Sequence, residues 1–93
     1  MIEKPWKKRV LEIGCGVGLH PLRQAHQNSD DGWVAVERTS EKFDKFYRRF
    51  ISHKSPQNLF PLHADAVAVL SQNHLWDEIW ILYPNPEWKR PQR

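Results

Sequence analysis

Residues 10–18 read V-L-E-I-G-C-G-V-G, and the fold turns on them. Val10, Leu11 and Ile13 form an apolar run broken only by Glu12. Glycines then follow at alternate positions, 14, 16 and 18. An apolar run stopped abruptly by glycines predicts a buried strand entering a tight turn. Glycine suits a backbone that takes positive φ or lies against a ligand, because it carries no Cβ to clash. A helix starting just afterwards would point its free N–H groups and the positive end of its dipole into the same space. The stretch reads as a nucleotide site, and Glu12, two residues before Gly14, narrows the kind of nucleotide.

Outward from this loop, hydrophobic periodicity sets the other elements. The first strand is expected over 9–13, preceded by a basic arm over 1–8 with Pro5 and Trp6. A helix is expected from Leu19 to about Gln27, with Pro21 in its first turn, where a missing N–H does no harm. Asn28-Ser29-Asp30-Asp31-Gly32 is a turn cluster. A second strand covers 33–36, with Glu37 at its end. Over 40–52, Phe43, Phe46, Tyr47, Phe50 and Ile51 recur at helical spacing, an apolar stripe expected to be core. Leu59 to His63 is a third strand, and Pro61 within it argues for an edge position. A short helix from Ala64 to about Ser71 and a fourth strand from Trp76 to Tyr83 complete the order, and Pro84-Asn85-Pro86 ends that strand. Strands alternating with helices imply parallel pairing through right-handed crossovers. The expected fold is therefore α/β: an open Rossmann-like sheet of about four parallel strands with flanking helices.

Composition bounds the function classes. At 93 residues the chain allows one small domain. Its apolar content of 40%, with five tryptophans, argues against disorder. A net charge of +3 is a mild basic bias, gathered at the two ends (Lys4, Lys7, Lys8 and Arg9; Lys89, Arg90 and Arg93). It is compatible with an anionic partner, and also with two solvated ends. Cys15 is the only cysteine, so no intramolecular disulfide can form, and it reads as a small residue packed in the loop. The five histidines are scattered without metal-ligand spacing, and no metal is expected. No membrane span or signal peptide is visible, so a reducing, cytoplasmic setting is expected.

Ligands of open α/β sheets bind outside the carboxyl ends of the strands. Glu12 with the glycines, Glu37, Asp65 and Asn85 each follow a different strand there. The spacing G-x-G-x-G departs from the dinucleotide fingerprint G-x-G-x-x-G, since position 19 is Leu. Glu12 would repel a pyrophosphate but suits a cation, such as the sulfonium and amino group of S-adenosylmethionine. Glu37 lies about twenty residues beyond the loop, the distance at which a carboxylate accepts from ribose hydroxyls. Asp65-Ala66 would meet the adenine edge, with Asp65 accepting from the exocyclic amine. Each acid has a plainer role open to it. Glu12 could pair with a basic neighbour, Glu37 with Arg38 or Arg9, and Asp65 could cap the helix that follows.

The segments E-I-G-C-G-V-G, A-V-E, N-L-F-P-L-H-A-D-A and Y-P-N-P-E-W-K-R resemble the class I S-adenosylmethionine-dependent methyltransferases. Within them the resemblance is closest to the tRNA (guanine-N(7)-)-methyltransferases, whose fourth strand ends in an F-P-D-P-W-P-K-K-R-type segment. The resemblance implies a partial methyltransferase domain over 9–93, methyl transfer to a guanine in tRNA, and hence a role in tRNA processing. It implies that Glu12, Gly14, Gly16, Gly18, Glu37, Asp65, Ala66 and Asn85 bind the cofactor. Asn85 stands where the family has its catalytic aspartate, and Lys89, with Arg90, where it has RNA contacts. An amide there can hold a base or a cofactor amine but cannot act as a general base. The alternatives are a catalytically inactive remnant serving as an assembly module, and a methyltransferase for a non-RNA substrate. The family's fourth strand is central, so here an apolar edge would be left open, a pairing hazard. A further segment or a second copy is expected to cover it, and the 93-residue form alone is expected to transfer little or no methyl.

Overall fold

The structure is a computed structural model that describes residues 5–72 and 75–82. Its elements run β1 (Arg9–Ile13), α1 (Leu19–Gln27), β2 (Gly32–Glu37), α2 (Ser40–Ser52), β3 (Leu59–His63), α3 (Ala66–Leu70) and β4 (Glu78–Ile81). The strands form one sheet in the order β3-β2-β1-β4. Every pairing is parallel, with Glu12 opposite Ala35 on one side and Trp80 on the other, and Glu37 opposite His63. The expected α/β architecture is the one observed, and β3, which contains Pro61, lies at an edge.

Alternation along the strands splits the core into two layers. Val10, Trp33, Ala35 and Leu59 face Leu22 and Ala25 of α1 and Phe46 of α2. Leu11, Val34 and Val36 face Val69 of α3. β2 is buried along its whole length, because α1 and α2 cover one face and α3 the other. Phe46 is fully buried, which is worth about 2–3 kcal/mol. At the other end of the molecule, Trp6 packs edge-on against Phe60 with ring centroids 6.1 Å apart. Lys7 N–H donates to the Asp30 carbonyl at 2.9 Å. The described end of the basic arm is thereby docked beneath the sheet.

Three expectations need correction. The α2 stripe is not all core: Phe46 is buried, Phe43 and Phe50 are half-buried, and Tyr47 and Ile51 are 46% and 55% exposed. The helix rests on the sheet margin beside β3, so only the centre of its stripe meets the core. α3 begins at Ala66 rather than Ala64, because Asp65 sits in extended backbone and caps it. β4 spans Glu78–Ile81 and so starts at Glu78 rather than Trp76, while Tyr83, its expected end, lies outside the described residues. Ile79, Trp80 and Ile81 are 40–58% exposed there, since only β1 pairs with it among the described residues.

Candidate functional site

The carboxyl ends of β1, β2 and β3 lie at one edge of the sheet, and the polar residues gather there. β1 runs into Gly14, whose N–H donates to the Val36 carbonyl at 2.9 Å, so the loop turns over the end of β2. Gly14, Gly16 and Gly18 all have positive φ, at 77°, 61° and 90°. Two of these glycines answer different demands. A Cβ at Gly18 would overlap the Phe46 ring, so that glycine serves packing. A Cβ at Gly16 would meet nothing within 4 Å, so that one borders open space. The loop lines a cleft of about 330 Å³ with His20, Lys42 and Leu82.

Glu12 is completely buried. Being in register with Ala35 and Trp80, it lies on the face covered by α1, where His20 stands in the helix's first turn. Its Oε1 is 2.8 Å from His20 Nδ1 and accepts from Trp33 Nε1 at 2.9 Å. Its Oε2 is buried and has no hydrogen-bond partner among the described residues. Burial pushes the Glu12 carboxyl above its ordinary range, and the His20 and Trp33 bonds oppose that rise only in part. A buried acceptor left open costs about 1–3 kcal/mol unless a donor arrives.

Glu37 is also buried, though less deeply, and is fully engaged. Its Oε1 accepts from Gly16 N–H at 2.8 Å, and its Oε2 accepts from Thr39 N–H at 3.1 Å and Thr39 Oγ1 at 2.8 Å. Burial alone would raise this carboxyl. The bonds from Thr39 and Gly16, with the nearby Lys42 charge, outweigh it and hold the group below its usual range. Neither Arg38 nor Arg9 is its partner. Thr39 stands at the N-cap of α2, yet its hydroxyl serves Glu37 instead of the helix.

Asp65 is exposed, and its Oδ1 accepts from Val67 N–H at 3.0 Å as the cap of α3. It lies two residues beyond His63, which pairs with Glu37, so it shares the sheet edge with the other acids. None of the Glu12, Glu37 and Asp65 side chains is among the groups bordering the glycine-loop cleft; Glu12 and Glu37 reach it only through His20 and Gly16, to which they are hydrogen-bonded. Asn85, Lys89 and Arg90 lie outside the described residues. Burial and the Glu12 and Glu37 charges push the Cys15 thiol well up, which suits a packed neutral side chain rather than a nucleophile. Among the described residues no cluster of His, Cys, Asp and Glu could hold a metal, and no helix is long and apolar enough to cross a membrane.

Two participants escaped the sequence reading. His20 passed as one scattered histidine and Trp33 as a strand residue, yet both bind Glu12. The available signal was the loop itself. A turn over 14–18 brings the first turn of the next helix back over the strand it left, so position 20 returns to position 12.

The residues present fit S-adenosylmethionine: a buried carboxylate oxygen without a donor, open space at Gly16, and an ionised carboxylate at the end of β2. Comparison with known proteins agrees. Residues 6–93 match the family described as "Putative methyltransferase". Curated relatives include the bifunctional methyltransferases of Rickettsia felis, 33% identical over 92 residues, and Rickettsia prowazekii, 32% identical over 85 residues. The alignments cover 94% and 86% of this chain but only 17% and 16% of those proteins, so the chain spans about a sixth of their length. Among solved structures, PKMT2 from Rickettsia typhi in complex with AdoHcy superposes with a TM-score of 0.67 at 23% identity, over 80% of this chain and 14% of that one. A protein-L-isoaspartate O-methyltransferase gives 0.69 at 21% identity, over 82% and 24%. At these identities the likeness establishes the fold, that of the class I methyltransferases. S-adenosylmethionine is the cofactor to which family, fold and residues jointly point. On the strength of the family match across nearly all of its length, the chain belongs to this methyltransferase family.

Proposed function

We propose that this chain is the cofactor-binding part of an S-adenosylmethionine-dependent methyltransferase that modifies a guanine in tRNA. The observation that carries the cofactor assignment is the open, buried Oε2 of Glu12 behind the glycine loop. When bound, the cofactor supplies a methyl group on a positively charged sulfur. Glu12 takes its ammonium group, giving the open oxygen a charge-assisted partner. Glu37 takes the ribose hydroxyls, exchanging its bond from Gly16 for bonds to the ligand. Asp65 and Ala66 meet the adenine edge, Asp65 with the oxygen not engaged by Val67. The loop from Gly14 to Gly18 would hold the nucleoside, with the open space at Gly16 leaving room for it.

The substrate half of the proposal is supported by the sequence over 84–90, P-N-P-E-W-K-R. Guanine N7 attacks through a neutral lone pair and has no proton to lose. Asn85 therefore suffices to hold the base, where a substrate needing a general base would require a carboxylate. Lys89 and Arg90 would contact the RNA backbone. Positioning and charge placement carry the acceleration, with no covalent enzyme intermediate. A second reading, a methyltransferase fold that binds cofactor without transferring, is favoured by the same Asn85.

Calorimetric titration with S-adenosylmethionine tests the cofactor half. We expect binding that weakens at least tenfold in Glu37→Ala, and no heat at millimolar ligand would refute the reading. Incubation with tRNA and labelled cofactor tests the other half. Label recovered as N7-methylguanine supports it, whereas binding without transfer to tRNA supports the second reading.

A further inference from the structure

Glu12 has two donors and gives both the same oxygen. Trp33 is 2% exposed and its indole N–H reaches Oε1 from the core. His20 reaches the same oxygen from the cleft side, with its side chain 28% exposed and its ring among the residues that line the cleft. The carboxylate can rotate about its Cγ–Cδ bond, and one donor alone would leave its two oxygens to exchange places. Two donors converging on Oε1 fix the plane and leave Oε2 as the open acceptor.

We propose that His20 is a positioning residue: by occupying Oε1 from the cleft mouth it holds the Glu12 carboxylate with Oε2 reserved for the cationic end of the ligand. The inference rests on the cofactor reading given above, and concerns a residue outside the glycine motif. The ring is itself held in place. It lies 5.3 Å from Trp80 and 6.2 Å from Trp33, centroid to centroid, and those two indoles are 6.4 Å apart, so β2 and β4 brace it from two sides. Its backbone belongs to the first turn of α1, directly after Gly18, whose left-handed conformation sets the helix direction. With the Glu12 carboxyl ionised, the bond requires hydrogen on Nδ1, which selects either that tautomer or the imidazolium. Around the pair stand Cys15 and Lys42 on the cleft, Glu37 at the end of β2 and Glu78 on β4. The Glu12 and Glu37 charges both act on Cys15, Lys42 acts on Glu37, and Glu78 is turned to Lys8 and Trp80.

Three substitutions separate packing from the hydrogen bond. His20→Phe keeps a ring against Trp80 and removes the donor. His20→Asn puts an amide N–H near the place of Nδ1, and His20→Gln puts one near the place of Nε2. Calorimetric titration with S-adenosylmethionine is expected to show affinity at least tenfold weaker for His20→Phe and His20→Gln, and within about threefold of the parent for His20→Asn, a span matching one charged hydrogen bond. A second readout needs no ligand: the carbon-13 NMR titration of the Glu12 carboxyl should move to higher pH in His20→Phe and return in His20→Asn. Should His20→Phe fail to fold, the contrast between Asn and Gln still decides. An unchanged carboxyl titration in a folded donorless variant, or equal affinities for Asn and Gln, would overturn the proposal. If the parent chain binds no S-adenosylmethionine, the cofactor reading fails, and the carboxyl titration alone still judges the role of His20.

Discussion

Glu12 and Glu37 stand at the same edge of neighbouring parallel strands, on the same face of the sheet, and differ in almost everything else. Glu12 is enclosed, has donors on one oxygen only, and is pushed upward in pKa by burial. Glu37 has donors on both oxygens, two of them backbone N–H groups, and is held downward. The difference follows from the surroundings of each strand end. Beyond Glu12 the chain covers its own acid with the first turn of α1. Beyond Glu37 the chain turns away at Thr39, whose hydroxyl and N–H turn back on the carboxylate. One half of the site is built by packing and the other by hydrogen bonds, so the two halves should respond differently to the same insults.

The largest contrast is expected from truncation. Glu12→Ala strands the Trp33 indole N–H in the core and opens a void, and should cost about 3 kcal/mol in urea unfolding. A cost under about 1 kcal/mol would mean that Glu12 is not the hub of the packed half. The glycines extend the contrast. Gly18→Ala drives a methyl into the Phe46 ring and should cost about 2–3 kcal/mol. Gly16→Ala meets no atom and pays only for its left-handed backbone, about 1 kcal/mol, while cofactor affinity falls more than stability does. If Gly16→Ala proves the more damaging to folding, the division between packed and hydrogen-bonded halves is wrong.

The smallest effect is in pH dependence, where the two acids have opposite signs. A carboxyl raised in the folded state contributes stability below its unfolded pKa of about 4.3, and that contribution is lost as pH rises through the folded value. A carboxyl lowered in the folded state contributes above about 4.3, and that contribution is lost as pH falls through the folded value. Glu12→Gln should therefore remove a decline in stability on the way up from acid. Glu37→Gln should remove a loss on the way down. Urea midpoints measured between pH 3 and 7 check both signs, and slopes of the same sign would contradict the assignment of environments.

Much of this contrast was hidden in the sequence although the fold was legible. Residues 9–13, 19–27, 40–52 and 59–63 form the elements that their periodicity and breakers indicated. The parallel pairing agrees with the alternation of elements, and the edge position of β3 with Pro61. The aromatic stripe misled because periodicity reports which residues share a face, not how much of that face the sheet covers; Tyr47 and Ile51 overhang the margin. β4 begins later than expected because Trp76 and Asp77 extend the run in sequence without joining the regular pairing with β1. At the site, glycine spacing and strand-end acids were readable from residue types. The roles of His20 and Trp33 were not, because they depend on the path of the loop and on cross-strand register. Asp65 was read both as a cap and as a ligand group, and the structure supplies the cap.

The central claim is that a nucleoside with a cationic end seats between the glycine loop and the ends of β1 and β2. Its most direct test is an amide NMR titration of the nitrogen-15-labelled chain with AdoHcy, which keeps the ammonium group and nucleoside. The account predicts saturable shifts at Gly14, Gly16, Val17 and Glu37, with the Trp33 indole N–H following as Glu12 gains its partner. No saturable shift at millimolar AdoHcy would contradict it. So would shifts gathered around Lys7, Lys8 and 27–31, which line a concavity at the opposite end of the sheet.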